Sequence, residues 1–217
     1  MPILALEYML ESPSSAALVQ ETMSLFEYVM IPPAIVLGLA LAHVLSGAGR
    51  IVHRLAGHGS PIRLDWIHLI WVAHIFSWIV IYWWYSFTRS VDSEWSLLVF
   101  MFIIFYAVTL YLMCVVLVPS DLDEVSDFAE YFMSLRSWFF AGMILLILVD
   151  FADSALKGID NVMDLGLGYA SHMIFLLLGG IVAMRSQSRW YHSVFAIVSF
   201  VWMFLFFWLN RPIIGGG

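Results

Sequence analysis

The sequence predicts an all-α, polytopic membrane protein, a bundle of six transmembrane helices with short loops and an amphipathic helix before the fourth span. Three observations carry that prediction. Of 217 residues, 63% are hydrophobic and 12% charged, the latter about half of the roughly 25% found in soluble domains. Mean hydropathy is +0.93. Finally, uninterrupted apolar stretches recur at the length of about 20 residues that crosses a hydrocarbon core. A soluble fold of this size has too little interior for so much apolar surface. A soluble enzyme, a disordered chain and a nucleic-acid-binding protein are therefore excluded.

The spans follow in order. The first, Tyr28–Leu45, carries Pro32 and Pro33 one turn inside its start, which predicts a kinked or broken turn. Its Ala34, Gly38, Ala42 and Ser46 recur every four residues, a small-residue stripe suited to close packing in the bundle or in a homodimer. The second, Trp66–Phe87, places Trp71, His74, Trp78 and Tyr85 on one face. The third, Trp95–Val118, is uncharged and holds the lone cysteine, Cys114, so no intramolecular disulfide forms. The loop 120–137 is acidic. Ser120 followed by Asp123 reads as a helix start, and Phe128, Tyr131, Phe132 and Leu135 then recur at helical spacing, which predicts an amphipathic helix feeding the next span. The fourth span is Trp138–Leu156, the fifth Leu165–Met184 and the sixth Tyr191–Trp208. The connections leave no room for a separate soluble domain, so residues 1–217 read as one unit. Met1–Ser12 predicts a short interfacial helix and lacks the basic start of a secretory signal. The terminal Gly-Gly-Gly carries no weight in these readings.

Basic residues set an orientation. Arg50, Arg54, Arg63, Arg136, Arg185 and Arg189 fall at one end of the bundle, and Arg89, Lys157 and Arg211 at the other. The positive-inside rule puts the first group in the cytoplasm and both termini outside, as expected for a protein of the plasma (inner) membrane. Of ten Trp, seven (Trp66, Trp83, Trp84, Trp95, Trp138, Trp190 and Trp208) lie at or near span ends, where an interfacial belt accounts for them.

Ionisable residues inside a span are the functional candidates, because placing them there costs free energy. Asp150 and Asp153 qualify, and Lys157 shares their helix face at the following turn. That stripe reads as a cation or proton station, or as a polar helix end reaching the headgroups. His172 enters the fifth span at a depth where it could meet Asp150. His43 and His74 lie at matched depth on neighbouring spans, with Arg50 and Arg54 near the face of His43. Each His has a plain account, a hydrogen bond to a neighbouring carbonyl or hydroxyl. The functional accounts are proton or anion handling and, more remotely, a haem held between His43 and His74; otherwise no cofactor or metal is implied. His53, His58, His68 and His192 fall at the boundary and are expected to be wet.

Two functions of different class remain. The first is a small transporter or channel. Here Asp150, Asp153 and His172 bind a cation or proton from outside, and His43, His74, Arg50 and Arg54 form an inner gate. The second is a non-catalytic subunit or assembly factor of a larger membrane complex. No nucleotide-binding loop, metalloprotease motif or nucleophile elbow occurs, so no enzymatic reaction is implied. The expected partners are the bilayer and either a second copy or a membrane-complex subunit, and not nucleic acid.

Overall fold

A computed structural model describes residues 25–88, 96–156 and 166–210. All six elements are helices: α1 Leu25–Leu55, α2 Trp66–Thr88, α3 Leu97–Leu117, α4 Phe128–Leu156, α5 Gly166–Arg185 and α6 Arg189–Asn210. Five of them are long and apolar enough to cross a membrane. The apolar part of α5, Ala170–Arg185, is shorter.

Apolar residues occupy both the covered and the uncovered faces of the helices. In α3 the buried residues Ile103, Tyr106, Ala107, Leu110, Met113, Cys114 and Leu117 recur every three or four positions. The opposite side presents Leu98, Met101, Phe105 and Leu112 to the surroundings. Helices hydrophobic all round suit a lipid environment, where the outer face needs no water. The described helices thus define a multi-pass integral membrane protein.

Neighbouring helices pack in sequence, α1 on α3, α3 on α4 and α4 on α5. The central helix is α2, which touches α1, α3, α4 and α6. Its Trp71, Ile75 and Ile79 meet Leu110, Met113, Phe139, Phe140, Met143, Leu146, Leu176 and Phe195 in one continuous core.

Three elements differ from expectation. α1 is helical straight through Pro32 and Pro33, so the predicted break is not there. Proline fixes φ near the helical value and removes only its own N–H, which costs the carbonyls of Tyr28 and Val29 their usual donors. The small-residue stripe faces outward: Gly38, Ala42 and Ser46 are exposed, and nothing lies near Gly38. The buried side of α1 is instead Met30, Leu37, Ala40, Val44 and Gly47. The helix expected to start between Ser120 and Asp123 starts at Phe128, as the opening turns of α4 and not as a separate element. Its cap is Asp127, whose Oδ1 accepts the N–H groups of Ala129 (2.7 Å) and Glu130 (3.4 Å). The stretch before it stays non-helical because Leu122 and Val125 tuck into a small second core with Ile51, Ile62, Phe128 and Tyr131.

At the arginine-rich end the loops are tied together. The Arg63 N–H donates to the Ser126 carbonyl (2.9 Å) and the Phe128 N–H to the Arg63 carbonyl (3.0 Å). The same pair of loops is joined by the Arg63–Asp127 ion pair at 3.3 Å. Asp65 pairs with Arg189, which ties the start of α2 to the start of α6.

Candidate functional site

Four histidines are buried, His68 and His74 from α2, His172 from α5 and His192 from α6. Depth follows from helix rise. Counted from the arginine-rich end at about 1.5 Å per residue, His68 and His192 stand roughly 3–5 Å in, His74 about 12 Å and His172 about 20 Å. They form a ladder from the rim to the middle of a hydrocarbon core about 30 Å thick.

Each imidazole keeps one buried ring nitrogen without a hydrogen-bond partner among the described residues: Nδ1 of His68, His74 and His192, and Nε2 of His172. In the two rim residues the other nitrogen is engaged. His68 Nε2 donates to the Leu117 carbonyl at 2.7 Å, and His192 Nε2 to the Ser186 carbonyl at 3.0 Å. A neutral ring that donates through Nε2 carries its lone pair on Nδ1, so the unpartnered atom is a proton acceptor. These two residues are therefore buried, where the sequence led one to expect them wet. His68 reaches a carbonyl at the C-terminal end of α3, where the helix supplies no donor, and His192 shares the Ser186 carbonyl with Arg136 Nε, which donates to it at 3.0 Å.

The upper pair brackets one face of α6. His74 packs against Trp71 (5.3 Å), Trp78 (5.8 Å) and Phe200 (6.2 Å), and His172 stacks on Trp202 at 5.4 Å. Phe175 joins the sides by touching both Phe195 (5.5 Å) and Trp202 (5.3 Å). On the same α6 stripe, at spacings of three and four residues, stands the fully buried Ser199. Its Oγ and the Trp71 Nε1 likewise have no partner among the described residues. Nearby, Trp78 Nε1 donates to Tyr106 Oη at 2.9 Å.

Buried polar atoms left unpaired cost about 1–3 kcal/mol each. Four of them (on Trp71, His74, His172 and Ser199) around one segment of α6 make a costly arrangement for a purely structural interior. Such a group of donors and acceptors can exchange protons with one another or with water admitted between them. It is poorly suited to a bare alkali cation, which needs several oxygen ligands to replace its hydration shell.

The other predicted residues distribute as follows. His43 does not turn toward His74: its Nε2 donates to the Val118 carbonyl (2.8 Å) and its ring meets Tyr111. Arg50 donates to the Pro119 carbonyl at 3.0 Å, and Arg54 pairs with Asp123. Asp150 is half-buried near the far end of α4. His172, expected at a depth where it could meet Asp150, stacks on Trp202 of α6. Lys157 and the side chain of Asp153 lie outside the described residues. Sequence reasoning missed Trp202, Ser199 and the burial of His68 and His192. One signal pointed there: the three tryptophans that the interfacial belt does not explain are Trp71, Trp78 and Trp202, and all three ring the upper histidines.

Among the described residues no group of three or more His, Cys, Asp or Glu comes together as a metal-ligand set. Comparison of the chain with protein families, with curated proteins and with solved structures gives no match.

Proposed function

We propose that this chain is a small membrane transporter or channel that carries protons, with His74 and His172 as its midplane stations. The observation that supports this reading is the pair of buried imidazoles from α2 and α5, each with a nitrogen unpartnered among the described residues, packed on the segment of α6 that carries the buried Ser199 hydroxyl. His172 takes a proton from the far side, where Asp150 stands near the mouth. Ser199 and admitted water relay it to His74. His192 and His68 receive it at the arginine-rich end, beside Asp65 and Arg189. Trp71 and Phe140 separate His74 from the rim histidines, with ring centroids 5.2 Å apart. They act as the gate, and conduction requires their displacement by water. In the bilayer the arginine-rich end faces the cytoplasm, as the positive-inside rule demands.

The test is proton flux into proteoliposomes under a potassium diffusion potential, read by a trapped pH dye. Wild-type protein acidifies the lumen. His74→Gln and His172→Gln each lower the rate on the order of 100-fold, as expected for loss of a proton-transferring group. His43→Gln, which alters a residue engaged with a carbonyl outside the pathway, leaves the rate unchanged. Flux no greater than in empty liposomes, or equal flux in wild type and both Gln variants, overturns the proposal.

A further inference from the structure

Where α1 emerges from the bundle, a cavity of about 680 Å³ is lined by Ser46, Gly49, Arg50, His53, Arg54, Ser120, Asp121 and Leu122. Its level follows from helix lengths. α1 has 31 residues and α3 has 21, or about 46 and 32 Å at 1.5 Å per residue. The carbonyls just past the end of α3, Val118 and Pro119, meet His43 and Arg50. The last turns of α1 therefore stand beyond the end of α3, at the depth of lipid headgroups.

The chemistry of the cavity is two-sided. Ser46, Arg50 and Arg54 recur every four residues on one face of α1. Arg50 spends one Nη2 hydrogen on the Pro119 carbonyl, while its Nε is buried without a partner among the described residues. A guanidinium with an unanswered buried donor favours an anionic oxygen acceptor, which phosphate supplies. Arg54 adds charge from a side chain only 12% exposed, and its carboxylate partner Asp123 is 74% exposed. The Ser46 and Ser120 hydroxyls are further donors. Against these stands Asp121. Its Oδ1 accepts the Asp123 N–H at 2.7 Å, which leaves Oδ2 for another donor. A site whose lining joins guanidinium and hydroxyl donors with a carboxylate repels a simple polyanion and fits a zwitterion.

From this juxtaposition we infer that the cavity binds a phosphoethanolamine group, with phosphate on Arg50, the serine hydroxyls and Arg54, and the primary ammonium on Asp121. The ammonium carries three N–H donors, and a trimethylammonium headgroup carries none, so choline is a poor substitute. This inference stands apart from the proton pathway and survives its failure.

Full-length protein in mixed nanodiscs of phosphatidylcholine with phosphatidylethanolamine or phosphatidylglycerol tests it, by mass spectrometry of lipids retained after a detergent wash. Wild type retains phosphatidylethanolamine about tenfold over phosphatidylcholine, the effect of one or two charge-assisted hydrogen bonds. Asp121→Asn abolishes the preference for phosphatidylethanolamine over phosphatidylglycerol. Arg50→Gln lowers retention of both, and Arg50→Lys restores part of it. Soluble glycerophosphoethanolamine is the competing source: if it displaces the lipid, the site takes the free ester, and if it does not, the site takes the bilayer lipid. Equal retention of the three lipids by wild type overturns the inference. So does unchanged phosphatidylethanolamine retention in folded, monodisperse Asp121→Asn and Arg50→Gln.

Discussion

Asp65 is 3% exposed, yet both of its carboxylate oxygens are engaged. Oδ1 pairs with Arg189, Oδ2 accepts the His68 N–H at 3.3 Å, and the residue caps the first turn of α2. Removal of the carboxylate takes away cap and ion pair together. Asp65→Ala is expected to lose about 1–2 kcal/mol from the cap alone, and Asp65→Asn less, because an amide oxygen still caps. Thermal unfolding in detergent checks the order wild type, Asn, Ala. Loss of the Arg189 tie also frees the start of α6, which carries His192. At this scale the sequence told only part of the story. Asp150 and His74 stand out because their positions within apolar runs are visible in one dimension. Asp65, His68 and His192 do not, because they sit at span boundaries where a side chain is equally able to face water or a neighbouring helix. Which of the two happens depends on the Leu117 and Ser186 carbonyls and on Arg189, supplied from 49 (His68 to Leu117), 6 (His192 to Ser186) and 124 (Arg189 to Asp65) residues away along the chain.

The α4–α5 contact depends on glycine. A Cβ on Gly180 would lie 2.8 Å from Met143 Cε and 3.3 Å from Ile144 Cγ1, and on the α3 side of α4 one on Gly142 would lie 2.8 Å from Met113 Cγ. The flexible Met143 tip can yield to a single methyl group. A branched side chain meets Ile144 as well. Gly180→Ala is therefore expected to unfold close to wild type, and Gly180→Val to lose about 1–3 kcal/mol through overpacking. A thermal melt of both variants in one detergent separates the two outcomes. The same contact explains why element lengths were more legible than element faces. Apolar run length locates a membrane helix well, since bilayer thickness fixes it. The choice of inner face is nearly invisible when both faces are apolar, as in α3. The outward turn of Gly38 and Ala42 on α1 shows the consequence: small residues mark a surface able to pack closely, and here it is Gly47, hard against Val118, that brings α1 to α3.

Across the whole molecule, polarity is graded along the bundle axis. Among the described residues, ion pairs and carbonyl bonds crowd the arginine-rich end, while the imidazoles of His74 and His172 and the indole of Trp71, each with an unpartnered nitrogen, occupy the middle. Reporter fusions in the loops at 56–65 and 119–127 are expected to report the cytoplasm, and a fusion at the C-terminus the opposite side. A cytoplasmic C-terminus would contradict the orientation used for the proton pathway. The tie between Asp65 and Arg189 also has a consequence for biogenesis. At about 5–20 residues per second, synthesis reaches Arg189 roughly 6–25 s after Asp65. During that interval the start of α2 has lost no solvent it cannot keep, provided it stays at the water boundary. Only when the last helix arrives does burial of the acid become favourable. The final helix thus completes the site: a chain released before α6 keeps a hydrated, unneutralised carboxylate at the start of its central helix, held there by the cap alone.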